Sequence, residues 1–432
     1  MGLYCSRTNA RRRPADARPS QAWRDRHTSS RPTLRYPLAV QAAFDRAVIL
    51  IADGVGCGGA EDAAAYGDAG ANTLGNLARQ LGGLRLPNLE ALGLGHTTRI
   101  EGIPPAAQPR GAHGIMAELS AGKDTITGHW EMAGVITTKP MATFPDGFPP
   151  EITEPLATAA GRALIGNKAA SGIAIIDELG AEHLRTGALI LYTSADSVIQ
   201  IAAHEQVVPL PELYRICTAA RAIADRHHIG RVIARPFIGS PGAFQRTYNR
   251  RDFAFAPPEP TLLDATTQGG LPVVGIGKIS DIFAGQGISE SLHSEGNKEG
   301  LLLTLSALDR LQRGLLFVNL VDFDMLYGHR NDCPGFARAL ETLDAWLPAL
   351  EQALAPRDVV FITADHGNDP TMPGTDHTRE RVPLLAFGPN VQPADLGVRS
   401  TFADLGQTIA TGLGLPPLPR GHSFLDAIRS AP

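Results

Sequence analysis

AVILIAD, residues 47–53, is an apolar run that ends in a carboxylate. LLFVNLVDFD at 315–324 and DVVFITADHG at 358–367 repeat the pattern. Near-continuous apolar runs without alternation read as strands buried on both faces, hence a mostly parallel sheet covered by helices. ALILYTSAD (188–196), RVIARPF (231–237), LPVVGIGK (271–278) and PLLAFGP (383–389) are further runs of this kind. Between several of them lie helical patterns such as PGFARALETLDAWLPALEQAL (334–354), apolar at three- and four-residue steps. The expected class is α/β.

Open parallel sheets collect ligands beyond the carboxyl ends of their strands. Three of the runs end in Asp53, in Asp322 and Asp324, and in Asp365 with His366. His329 stands five residues after Asp324, and His377 eleven after His366. Asp53, Asp324, His329, Asp365, His366 and His377 would suffice for two divalent ions with positions open to a substrate. Mixed Asp/His sets favour manganese, zinc, iron or cobalt over magnesium or calcium. Two such ions a few ångströms apart can clamp a phosphoryl group. Each acid alone could cap the next helix instead. The arrival of independent segments at one sheet edge favours the metal centre. Asp322 and Asp376 are expected behind the ligands, orienting imidazoles.

AGKDTITGHWEM (121–132) has charges, small polar residues and glycines that do not suit a core helix. It reads either as a solvated turn leading into a helix or as a nucleophile with its supporting shell. On the second reading an adjacent divalent ion activates the Thr125 hydroxyl. Lys123 then faces phosphate oxygens, or is simply a solvated lysine. Gly122 and Gly128 let the backbone approach an anion closely.

At 432 residues the chain exceeds one ordinary core. With 43% apolar and 19% charged residues and no run of eighteen apolar ones, a membrane-spanning helix is excluded and a soluble protein expected. Cys5, Cys57, Cys217 and Cys333 form no CxxC pair, which fits a reducing, cytoplasmic setting. The net charge of −5 conceals ten arginines in residues 1–46, where the balance is +7, leaving −12 on the remainder. Such a tail suits nucleic acid, a membrane surface or a transit peptide. Its prolines and lack of apolar periodicity make a disordered extension over 1–45 the expectation, with no function assigned. Proline-rich joints near 145–150 and 257–260 suggest an insertion. The core is expected at 46–140 and 261–432, with a smaller α/β cap domain at 141–260.

From about residue 46 onward the chain resembles the bacterial-type phosphopentomutases of the alkaline phosphatase superfamily. AGKDTITGHWEM, FPDGFPPEI, YTSADSVIQIAAHE, RVIARPF, GKISDIFAG, NLVDFDMLYGHRND and ADHGNDPTMPGTDHTRERVPLLAFG carry the likeness, in family order. The DHG and its following DH are common to the superfamily, whereas GKDTITGHWEM and YTSADSVIQ are particular to this family. The resemblance implies an alkaline-phosphatase-like core with an inserted cap and a phosphorylated Thr125. It implies two manganese ions, one on Asp53, Asp365 and His366, the other on Asp324, His329 and His377. Asp196, Arg235, Arg250 and Lys278 match the sugar-phosphate contacts. Guanidinium groups grip phosphate bidentately, which gives the arginines an independent rationale. The implied reaction interconverts (2-deoxy)ribose 1- and 5-phosphates, primed by a sugar bisphosphate, with no nucleic-acid or membrane partner. Rival readings are a cofactor-independent phosphoglycerate mutase, a phosphatase or phosphodiesterase of the superfamily, and a metal-binding protein that has lost catalysis. One departure is Gly54, where relatives are expected to carry serine. The arginine-rich extension is a second.

Overall fold

The computed structural model describes residues 42–194 and 197–429. Its strands are β1 (Arg46–Ala52), β2 (Ala112–Met116), β3 (Leu164–Ala169), β4 (Leu189–Thr193) and β5 (Val198–His204). They continue with β6 (Arg231–Ile238), β7 (Gln245–Arg246), β8 (Arg251–Ala254), β9 (Val273–Ile276) and β10 (Glu290–Leu292). The last are β11 (Gly314–Leu320), β12 (Asp358–Thr363), β13 (Val382–Phe387) and β14 (Asp395–Arg399).

Eight strands form one sheet in the order β10-β9-β11-β1-β12-β13-β2-β14. Every residue of β1, β11 and β12 is buried, as their unbroken apolar runs require. β1 pairs in parallel with β11 and β12, with Ala52 opposite Leu320 and Ile51 opposite Thr363. That register puts Asp53 level with Asp365, two residues beyond the paired Ile51 and Thr363. Past β11 the chain turns through a short helical segment, Phe323–Tyr327, which carries Asp324. β13 runs antiparallel to both β12 and β2, so the sheet is mixed at one side and parallel where the acids meet.

The remaining strands form a second sheet, β3-β4-β5-β6-β7, with β8 also paired to β6. The apolar runs that hold β4 and β6 belong here, within the span expected for the insertion. Buried runs of similar length look alike in sequence whichever sheet they join. Helices Pro150–Ala160 and Leu210–Arg226 cover one face through Ile152, Leu156, Leu213 and Ile216. Helix Gly172–Thr186 covers the other with Ile175 and Ile176 against Tyr192 and Phe237. The chain leaves the main sheet after β2 and returns to it at β9. At the return, the Leu262 amide bonds the Ala133 carbonyl at 2.8 Å. The Phe255 ring lies 5.6 Å from Trp130.

Residues 1–41 and Asp196 lie outside the described residues, so most of the arginine-rich extension and one sugar-contact candidate have no structural account. Ala43, Phe44 and Asp45 are bonded to Gly412 and Arg357 by backbone hydrogen bonds. Cys57, Cys217 and Cys333 are free and buried. Among the described residues, no helix is long and apolar enough to cross a membrane.

Candidate metal centre

Of AGKDTITGHWEM, residues 121–124 lie outside any helix and residues 125–132 form one that is buried from Thr127 on, contrary to the reading of the stretch as unsuited to a core helix. Helix Thr125–Met132 buries Thr127, Gly128, His129, Trp130, Glu131 and Met132. Its polar groups are satisfied internally, which removes the penalty that composition alone would assign. The Glu131 carboxylate accepts from the amides of Leu119, Ser120 and Phe402 and from the Thr401 hydroxyl. Asp124 caps the helix, accepting from the Ile126 and Thr127 amides at 3.0 and 3.1 Å. Gly128 lies against the backbone of Asp365, where a Cβ would stand 2.0 Å from the carbonyl oxygen. Its smallness therefore serves helix-to-loop packing. Thr125 is the first residue of this helix, where the aligned peptide dipoles favour negative charge.

The six metal-ligand candidates converge. His366 Nε2 lies 3.4 Å from Asp53 Oδ1, 3.4 Å from Asp365 Oδ2 and 3.2 Å from Thr125 Oγ1. Asp324 approaches His329 Nε2 through Oδ2 at 3.2 Å and His377 Nε2 through Oδ1 at 3.1 Å. Donor atoms of Asp324, His329 and His377 lie within 4.8 Å of one another, as do those of Asp53, Asp324 and His366. Asp324 thus belongs to both groups.

All three imidazoles are turned the same way. Nδ1 of His329, His366 and His377 lies 2.6, 3.0 and 3.0 Å from the carbonyl oxygens of Thr375, Gly367 and Lys123. A carbonyl can only accept, so each Nδ1 carries a proton and each Nε2 faces the cluster, able to bind an ion once any proton on it is lost. Backbone carbonyls do what Asp322 and Asp376 were expected to do. Asp322 instead accepts from the Asn297 amide at the start of helix Asn297–Arg310. Asp376 accepts from the His377 amide and lies 3.6 Å from Lys123.

The electrostatics call for cations. Asp53 Oδ1 is buried without a hydrogen-bond partner among the described residues. Burial, then the Asp365 and Asp324 charges, push the Asp53 carboxyl well above the usual range. Burial also opposes ionisation of Asp324, yet the His329 and His377 rings against it hold it well below that range. Burial alone would depress His377, but Asp324 and Asp53 raise it to about 9. Three buried carboxylates and three converging Nε2 atoms fit divalent ions bound by nitrogen and oxygen.

Other side chains brace the cluster. Asn319 donates to Asp53 Oδ2 at 2.9 Å, and Asn368 to Asp324 Oδ1 at 2.7 Å. His129 places Nδ1 3.1 Å from Asp365 Oδ2 and 2.9 Å from the Thr125 carbonyl, linking the helix to a ligand. Asn319, the lone amide within LLFVNL, went unread in the sequence, and Asn368 carried no periodic signal. Gly54 has φ +77°, a left-handed conformation costly for serine, and its amide donates to Asp365 Oδ1 at 3.2 Å.

Lys123 is 3.1 Å from Asp68 and 3.6 Å from Asp376, so its charge is already paired. Lys278, just past β9, offsets part of the rise in the Asp53 pKa through its charge. Arg235 on β6 and Arg250, just before β8, line a cavity of about 770 Å³ together with Arg246, Tyr248 and Asp177. Arg235 donates to Gln200 at 3.0 Å and Arg250 pairs with Asp252 at 2.6 Å. Burial, then the neighbouring Arg250 and Arg246 charges, lower the Arg235 pKa.

This geometry fits a metal-binding enzyme, and the Metalloenzyme superfamily model matches residues 45–417. A phosphopentomutase of Anaeromyxobacter dehalogenans is 58% identical over 381 residues, covering 88% of this chain and 98% of that one. A phosphopentomutase of Symbiobacterium thermophilum is 54% identical over 392 residues, covering 90% and 100%. Among solved structures, the PH0037 protein of Pyrococcus horikoshii matches at TM-score 0.47 and 15% identity, over 86% of this chain and 97% of that one. The chain belongs to the phosphopentomutase family of metalloenzymes.

Proposed function

We propose that this enzyme interconverts ribose 1-phosphate and ribose 5-phosphate, with the 2-deoxy sugars also accepted. The relatives' shared name supplies the reaction, and the structural support is Thr125 Oγ1 beside His366 Nε2 at the head of a buried helix. Phosphorylated Thr125 transfers its phosphoryl group to the free hydroxyl of the bound monophosphate. The Thr125 Oγ1–P bond breaks, a sugar O–P bond forms, and the hydroxyl proton ends on the Thr125 oxygen. The resulting bisphosphate reverses its orientation and returns its other phosphate to Thr125. Asp53, Asp365 and His366 would hold one divalent ion and Asp324, His329 and His377 the other, with manganese the expected metal. When bound, the ions neutralise charge on the phosphoryl oxygens and the threonine oxygen.

Arg235 and Arg250 are proposed to grip the phosphate that is not being transferred, with Lys278 and Asp196 contacting the sugar phosphate. The second sheet with its helices, residues 141–260, is proposed as a cap. Its closure keeps water from phosphothreonine, without which a mutase would become a phosphatase. A sugar bisphosphate primes resting enzyme by phosphorylating Thr125. The buried free cysteines agree with a reducing, cytoplasmic setting. Assaying ribose 1-phosphate, 3-phosphoglycerate and an aryl phosphate side by side tests the proposal. Conversion of the pentose phosphate alone is expected; preferred turnover of either other compound would overturn it.

A further inference from the structure

Glu380 is fully buried, and among the described residues no ion pair reaches it. Its carboxylate ties together three segments that carry or adjoin the metal ligands. Oε2 accepts from the Gly58 amide at 3.1 Å and the Thr73 amide at 2.9 Å. Oε1 accepts from the hydroxyls of Thr73 and Thr378, both at 2.7 Å. Gly58 is in the loop after β1 that begins with Asp53. Thr73 opens helix Thr73–Leu81, and Thr378 follows His377 directly.

The bonds continue to the ligands themselves. The Asn368 amide donates to Thr73 Oγ1 at 3.2 Å, and its side chain donates to Asp324 Oδ1. Asn368 also bonds the Gly54 carbonyl at 2.8 Å, next to Asp53. The chain Glu380–Thr73–Asn368–Asp324 therefore ends on the one carboxylate common to both groups of ligand atoms. Two glycines make room for it. A Cβ on Gly56 or on Gly367 would stand 2.3 Å from a Glu380 oxygen, so both loops close onto the carboxylate. Gly367 is the glycine of the DHG triplet and adjoins His366.

We propose that Glu380 is a positioning residue for the metal centre, setting the spacing of the loops after β1 and β12 and, through Thr73 and Asn368, the orientation of Asp324. This rests on the metal-centre reading above. A carboxylate suits the task because it offers four acceptor positions to two amides and two hydroxyls. Glutamine supplies one acceptor oxygen and presents donors where an acceptor is needed.

The test uses full-length wild type, Glu380→Gln, Thr73→Val and Thr73→Ser, each freed of metal and titrated with manganese by calorimetry. Loss of such outer contacts weakens metal binding about 10–100-fold. Glu380→Gln is expected to bind manganese at least about tenfold more weakly. Thr73→Val should shift the same way by less, and Thr73→Ser should match wild type. Excess manganese should restore kcat in Glu380→Gln with KM for ribose 5-phosphate unchanged. Unaltered manganese affinity in folded Glu380→Gln overturns the proposal, even where the variant melts earlier. If that variant does not fold, unaltered affinity in Thr73→Val does so. Manganese binding is read without turnover, so a wild type that binds the metal yet fails to convert pentose phosphates would defeat the proposed reaction and leave this test intact.

Discussion

Divalent ions must displace protons to enter this centre, and the size of that competition follows from His377. Its imidazole rises from 6.5 to about 9 because Asp324 lies 3.1 Å away, outweighing burial. The folded pKa is raised, so in metal-free protein the stabilising contribution is complete below 6.5 and is lost as pH climbs through about 9. The shift corresponds to about 3 kcal/mol. An ion bound at Nε2 removes the same proton. Apparent manganese affinity should therefore rise about tenfold per pH unit across that window, about 300-fold in all. His329, also raised by Asp324, steepens the slope. Calorimetric titration in buffers of different ionisation enthalpy counts the protons directly, and at least one should be released per chain at pH 7.5. Asp324→Asn removes the carboxylate that raises both imidazoles, so its binding should be weaker and nearly independent of pH above 7. Wild-type affinity that stays flat from pH 6.5 to 9, with no proton released, would refute the reasoning.

Further consequences are open to simpler assays. Arg235→Ala should raise KM for ribose 5-phosphate about 10–100-fold, the worth of a hydrogen bond between charged groups. Its kcat should change little, and an equal fall in kcat would place Arg235 in the chemistry. Trp130 is buried and donates to the Ile282 carbonyl at 2.9 Å. Trp130→Ala should cost about 3–5 kcal/mol in denaturant unfolding; a loss under 1 kcal/mol would mean the helix bearing Thr125 is not anchored there. Arg379 bonds the carbonyls of Glu118, Ser120 and Gly122 and the carboxylates of Glu118 and Asp62. Arg379→Lys keeps the charge but loses the fork, so stability should fall by about 1–3 kcal/mol and transfer should slow with manganese affinity retained.

The main sheet was legible where burial on both faces leaves an uninterrupted apolar run, as in β1, β11 and β12. The acids ending those runs pointed to one edge because parallel register carries Asp53 and Asp365 to one level. From their apolar runs alone β4 and β6 look like main-sheet strands, since a buried strand looks the same in either layer; only the insertion expected at 141–260 separates them. The antiparallel setting of β13 is likewise a matter of partners and not of composition. The helix Thr125–Met132 misled because its polar residues find partners as distant in sequence as Thr401 and Phe402. The same distance hid the roles of Asn368 and Glu380. The orientation of the imidazoles was invisible for a related reason: it depends on backbone carbonyls, which every residue possesses.

The central claim is that Thr125 carries the phosphoryl group between turnovers. Incubating the manganese-loaded enzyme with ribose 1,5-bisphosphate and mapping phosphate by mass spectrometry tests it most directly. The account predicts phosphate on the peptide containing Thr125, lost again when ribose 5-phosphate is added, and absent from Thr125→Val. Phosphate on another side chain, or steady mutase turnover by Thr125→Val, would contradict it.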